Sequence, residues 1–140
     1  MENVLQGFNM AFTKITQKST APKSPDLLFR QLPRRKFPDV LPHQQAMMQR
    51  YAEEAEHAKD VALQLPTGSG KTLVGLLIAE WRRRKNREKI VYLCPTRQLV
   101  NQAVAQAEQK YGLAVVGFTG SQRDYSSSDK AKYNQGDCVA

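Results

Sequence analysis

The sequence predicts an α/β fold, a parallel sheet with flanking helices, and three observations carry that expectation. Short apolar runs at 61–65, 90–94 and 114–118 each have the length of a buried strand. The first two lead into helical patterns, and strand–helix alternation implies parallel strands joined by right-handed crossovers. A glycine-rich stretch, 65–72, lies at the junction of the first run and its helix. With 140 residues, 41% of them apolar, the chain has material for one core.

Residues 1–36 are rich in Lys, Arg, Ser, Thr and Pro, and Glu2 and Asp26 are their only acids. They read as a basic, flexible extension, charged from Lys14 to Lys36, with the folded unit at 37–140. No basic start followed by an apolar segment marks a secretory signal. A transit peptide shares the composition, but the few apolar residues here are poorly phased for one. The Arg34-Arg35-Lys36 cluster is read as solvated. A helix begins at Pro42, proline being favoured in a first turn. Met47, Met48, Tyr51, Ala52 and Ala55 form its packing face.

Val61-Ala62-Leu63-Gln64-Leu65 is the first strand, and a helix apolar nearly all round runs from Thr72 to about Arg87. Its end, Trp81-Arg82-Arg83-Arg84-Lys85-Asn86-Arg87, complements the helix dipole and is expected to be solvated. Ile90–Cys94 is a second buried strand closed by Pro95. A third helix follows from about Arg97 to Tyr111, with Leu99, Val100, Ala103, Val104 and Ala107 on one face. Gly112 stops it. Ala114–Phe118 is a third strand, 119–136 a polar loop, and Asp137–Ala140 opens a fourth strand in which the sequence ends.

Lys and Arg number 21 against 13 Asp and Glu, a net charge of +8. That balance suits a polyanionic partner. Cys94 and Cys138 each sit in an apolar run and are read as reduced core residues of an intracellular protein, cytoplasmic or in the nucleoid or nucleus. His43 and His57 have no metal-ligand spacing with them, so a zinc site has no support. No apolar run approaches the roughly 18 residues of a membrane span, so no membrane partner is expected.

The stretch Leu65-Pro66-Thr67-Gly68-Ser69-Gly70-Lys71-Thr72 carries the chemistry. Glycines let the backbone curl so that its N–H groups converge on phosphate oxygens. Lys71 then reaches the β/γ-phosphates and the Thr72 hydroxyl ligates Mg²⁺. A strand, a glycine-rich loop and a helix in that order put a phosphate at a positive helix end. One residue departs from the G-x-x-x-x-G-K-[ST] pattern: Leu65 stands at the first glycine.

Three segments together resemble the DEAD/DEAH-type helicases of superfamily 2. Leu65–Thr72 is similar to their phosphate-binding motif, where Leu or Ala often replaces the first glycine. Pro95-Thr96-Arg97-Gln98-Leu99-Val100-Asn101-Gln102 resembles motif Ia, P-T-R-x-L-x-x-Q. Leu41-Pro42-His43-Gln44 resembles the upstream R-P-Y-Q element, and Phe118-Thr119-Gly120-Ser121 the glycine turn after the third strand. The resemblance covers 37–140 and implies the amino-terminal part of a first RecA-like, P-loop ATP-binding domain. It assigns ATP and Mg²⁺ to Pro66, Thr67, Gly68, Ser69, Gly70, Lys71 and Thr72, with Lys71 in the catalytic role and Gln44 on adenine. It assigns the backbone of single-stranded DNA or RNA to Pro95, Thr96, Arg97, Gln102 and Gly120. Phe37 is read as core packing, although an upstream aromatic stacks on the base in some relatives.

The family's motif II, D-E-x-D or D-E-x-H, supplies the aspartate that holds Mg²⁺ and the glutamate that activates water. No Asp-Glu pair occurs in this sequence, nor does a Ser-Ala-Thr motif. The resemblance therefore implies a helicase piece that binds ATP and does not hydrolyse it alone, the remainder of the helicase being its partner. A non-enzymatic nucleotide- or nucleic-acid-binding module is the competing reading. A small-molecule P-loop kinase is a third, and the absence of a lid with Arg pairs weighs against it.

Overall fold

The computed structural model describes residues 21–140. The part of the predicted extension before Ala21 lies outside the described residues. In chain order the helices are α1 (Pro25–Phe29), α2 (Pro42–Arg50), α3 (Lys71–Asn86), α4 (Arg97–Ala105) and α5 (Ser127–Gln135). A π-helical turn, Tyr51–Ala55, prolongs α2, and another, Gln106–Tyr111, prolongs α4 until Gly112 caps it at φ 68°. The apolar faces predicted for these helices supply much of the core. Met48 and Tyr51 pack with Val74, Leu77 and Trp81 of α3, and Ala107 and Leu113 join them.

The predicted parallel sheet is not formed among the described residues. They contain one parallel bridge, Val115 with Val139. Val139 N donates to Ala114 O at 3.3 Å and Val116 N to Val139 O at 2.9 Å. On the other side Ala140 N donates to Ile90 O at 3.1 Å and Tyr92 N to Ala140 O at 2.7 Å. Parallel pairing in the order 90–92, 139–140, 114–116 is therefore present, but only as a stub. Residues 61–65, expected as a buried strand, make no backbone hydrogen bond to another described residue, and Val61 and Leu63 are exposed. Leu93 of the second run is 86% exposed. Apolar composition marks a segment for burial, yet a strand is stable only where neighbours satisfy its ladder and cover its faces.

Three further expectations are corrected. Residues 25–32, read as part of a flexible extension, form α1 and a following turn, and bury Leu28, Phe29 and Leu32 against α2 and α3. The loop at 119–136 contains a short 3₁₀ turn, Gln122–Asp124, and then α5. Ser126 caps α5 by accepting from Asp129 N at 3.1 Å. Phe37 is not core but 62% exposed.

The basic end of α3 is the largest revision, because its charges are paired internally rather than solvated. Glu80, 2% exposed, accepts from Arg83 through two bonds of 2.7 Å and from Arg84 Nε at 2.7 Å. Arg83 also donates to Gly136 O at 2.7 Å, tying α5 to α3. Arg82 forks onto Glu88 at 2.8 and 2.9 Å and also donates to Tyr51 Oη and Glu56 O. The fork holds the Glu88 carboxyl below its ordinary range and raises Arg82. Lys85 reaches Glu56 at 2.6 Å. Removing the charge at Glu80 leaves two guanidiniums facing a buried neutral group. Glu80→Gln is expected to destabilise the chain by about 2 kcal/mol in urea unfolding; an unchanged midpoint would contradict the pairing.

Candidate nucleotide-binding loop and nucleic-acid track

The glycine-rich loop has the backbone its sequence requires. Gly68 at φ 75° and Gly70 at φ 76° occupy the left-handed region, where glycine is the residue without steric penalty. Pro66 O accepts from Ser69 N at 3.2 Å, closing a turn, and α3 begins at Lys71, with Gly70 O accepting from Val74 N at 3.2 Å. A Cβ on Gly68 would meet open space, so there the demand is conformational. A Cβ on Gly70 would run into Gln44 Nε2, so there the demand is also one of close approach.

Gln44 is brought to this loop from the first turn of α2. Its Oε1 accepts from Leu41 N at 3.0 Å and its Nε2 donates to Ser69 O at 2.7 Å, which leaves the side chain buried. His43 Nε2 lies 3.2 Å from the same carbonyl. The Ser69 hydroxyl is buried and has no hydrogen-bond partner among the described residues. The Lys71 side chain is exposed and forms no hydrogen bond or ion pair with a described residue, while Pro66 and Thr67 are exposed in the turn. A loop with two left-handed glycines, an unpartnered buried hydroxyl and an uncommitted lysine at a helix start fits a polyphosphate.

Thr72 is half-buried and lines a cavity of about 180 Å³ together with Cys94, Pro95, Leu99 and Gln102. The fold thus joins the end of the phosphate loop to two of the residues predicted to touch nucleic acid. Thr96 caps α4, its Oγ1 accepting from Leu99 N at 3.2 Å. Its hydroxyl proton remains available to a phosphate oxygen. Arg97 is exposed, and its Nη2 lies 3.7 Å from where a Gly120 Cβ would stand. Arg97 and Gly120, 23 positions apart in the sequence numbering, therefore meet at one surface. Among the described residues no group of three or more His, Cys, Asp or Glu is arranged to hold a metal. No helix of the described residues is long and apolar enough to cross a membrane. Cys94 and Cys138 are free thiols, and burial pushes Cys138 up.

Two features were not assigned from sequence. One is His43, whose signal was only its place beside Gln44. The other is a groove of about 810 Å³ lined by Phe37, Leu41, Gln44, Leu73 and Tyr111, with Arg34, Lys36 and Lys110 at its walls. Its signal was an aromatic residue between Lys36 and Pro38 that matched no helical or strand period.

Residues 41–139 match the family model of the DEAD/DEAH box helicase, and the chain belongs to that family. Membership implies the RecA-like fold and an ATP-dependent, helicase-related function on nucleic acid. No curated protein and no solved structure matched the chain.

Proposed function

We propose that residues 37–140 are the ATP-binding and part of the nucleic-acid-binding surface of an ATP-dependent DNA or RNA helicase or translocase. The observation that carries this reading is the loop at 66–72, with its left-handed Gly68 and Gly70 and its unpartnered Ser69 hydroxyl at the start of α3. The amides of Gly68 to Thr72 and the Lys71 ammonium would hold the triphosphate, and Thr72 would supply one oxygen to Mg²⁺. Bound there, the triphosphate would carry the phosphoanhydride to be cleaved and Mg²⁺ would neutralise part of its charge. The chain's own residues orient it and screen its charge. The exposed Phe37 and the buried Gln44 line one groove, which suits a base stacked on the ring and read by the amide once it is released from Leu41 N or Ser69 O.

No Asp-Glu pair lies within the 140 residues, so the role proposed for these residues is binding of ATP and not activation of water. Binding of ATP in the presence of Mg²⁺, followed by calorimetry on the chain as it stands, tests the reading. Saturable binding supports it, and no binding up to millimolar nucleotide overturns it.

Arg97, Gly120 and the amino end of α4 would contact sugar and phosphate, giving binding that ignores base sequence and weakens with salt. Arg97→Ala is expected to weaken single-stranded oligonucleotide binding and to lower the salt slope by about 1, with ATP affinity unchanged. Fluorescence anisotropy over a salt series measures both, and an unaltered slope would remove Arg97 from the track.

A further inference from the structure

We propose that His43 is the residue that frees Gln44 to read the base, by holding the Ser69 carbonyl when Gln44 leaves it. This rests on the nucleotide site proposed above. Two donors from adjacent residues converge on the Ser69 carbonyl: Gln44 Nε2 at 2.7 Å and His43 Nε2 at 3.2 Å. A carbonyl oxygen has two lone pairs, so both bonds can coexist when the imidazole carries its proton on Nε2. The neutral Nε2–H tautomer and the imidazolium both meet that condition.

Both ends of the Gln44 amide are committed in this arrangement, one to Leu41 N and one to Ser69 O. Reading a base edge with oxygen and nitrogen together means releasing at least one of them. The two are not equal in cost. Leu41 is exposed, and water replaces a lost acceptor at a helix start. Ser69 is only 6% exposed, so a carbonyl abandoned there stays unpaired. His43, an exposed residue bonded to the same oxygen, removes that penalty. It acts as a positioning residue: it touches the loop, and through the loop it sets how readily Gln44 turns to the base.

The prediction separates base-dependent from phosphate-dependent binding. Inorganic tripolyphosphate engages the loop without asking Gln44 to move, whereas ATP engages both. Affinities of the wild-type chain, His43→Ala and His43→Gln for Mg-ATP and for tripolyphosphate are measured by calorimetry. His43→Ala is expected to weaken ATP about tenfold, equivalent to about 1.4 kcal/mol, and to leave tripolyphosphate unchanged. His43→Gln keeps an N–H donor and is expected to restore the wild-type ratio. Equal weakening of both ligands, or ATP affinity unchanged in His43→Ala, overturns the inference while the nucleotide site stands. A wild-type chain that binds neither ligand overturns the nucleotide reading itself, and this inference with it.

Discussion

Replacing Lys71 by alanine is expected to lower affinity for ATP roughly a hundredfold while leaving the melting temperature of the chain unchanged. Lys71 is the first residue of α3, directly after a glycine at φ 76°, and it is exposed. Its ammonium is therefore neither part of the core nor consumed by an internal pair. Alanine is a better helix former than lysine, so the substitution does not weaken the helix start. Loss of one full charge next to a bound polyanion, in contrast, removes a charge-assisted contact that no neighbouring side chain replaces. Calorimetric titration with Mg-ATP measures the affinity, and thermal unfolding followed by circular dichroism provides the control. Unchanged affinity would remove the loop from nucleotide binding altogether. A drop in both affinity and melting temperature would show that Lys71 serves the fold.

The largest effect on stability is expected at Trp81. Trp81→Ala should cost about 3–5 kcal/mol, a fall in melting temperature of roughly 15 °C. The indole is fully buried, and Tyr51 meets its edge with ring centroids 6.3 Å apart. Its Nε1–H donates to Pro22 O at 2.7 Å, and the Lys85 ammonium sits 4.5 Å from the ring centroid. One side chain thereby joins α3, the end of α2 and the segment before α1. Truncation leaves a large cavity and an abandoned carbonyl together. Trp81→Phe keeps most of the packing and loses only the N–H, so its cost should be about 1 kcal/mol. Urea unfolding of both variants separates packing from hydrogen bonding. If Trp81→Ala unfolds at the parent's midpoint, the segment from Pro22 does not contribute to the core.

Much of the glycine-rich loop was legible because its constraints are local. Only glycine enters the left-handed region without penalty, and two glycines flanking Ser69 specify a curl whatever the rest of the chain does. Helices were legible for a similar reason. Pro42 and Gly112 mark ends, and the spacing of Met48 and Tyr51 marks a face. Expectations failed where the outcome depended on a distant partner. The runs 61–65 and 90–94 have strand composition, but a ladder needs neighbours, and Val61, Leu63 and Leu93 lie open. Arg82 to Lys85 look like a solvated helix end until Glu56, Glu80 and Glu88 are seen around them. Neither the amino-terminal helix nor α5 showed enough apolar period to be read as ordered; both are held by contacts with α3, directly or through Arg83.

By itself, then, the sequence determined the glycine-rich loop, the helix beginning at its end and the cap that opens α4, since each depends on backbone preferences within a few residues. Tertiary structure alone decided that Arg97 approaches Gly120, that Phe37 is exposed and lines one groove with Gln44, and that Gln44 and His43 share the carbonyl of Ser69. Those outcomes are set by burial and by pairing between segments far apart in the chain, and composition specifies that a group needs a partner without specifying which one arrives.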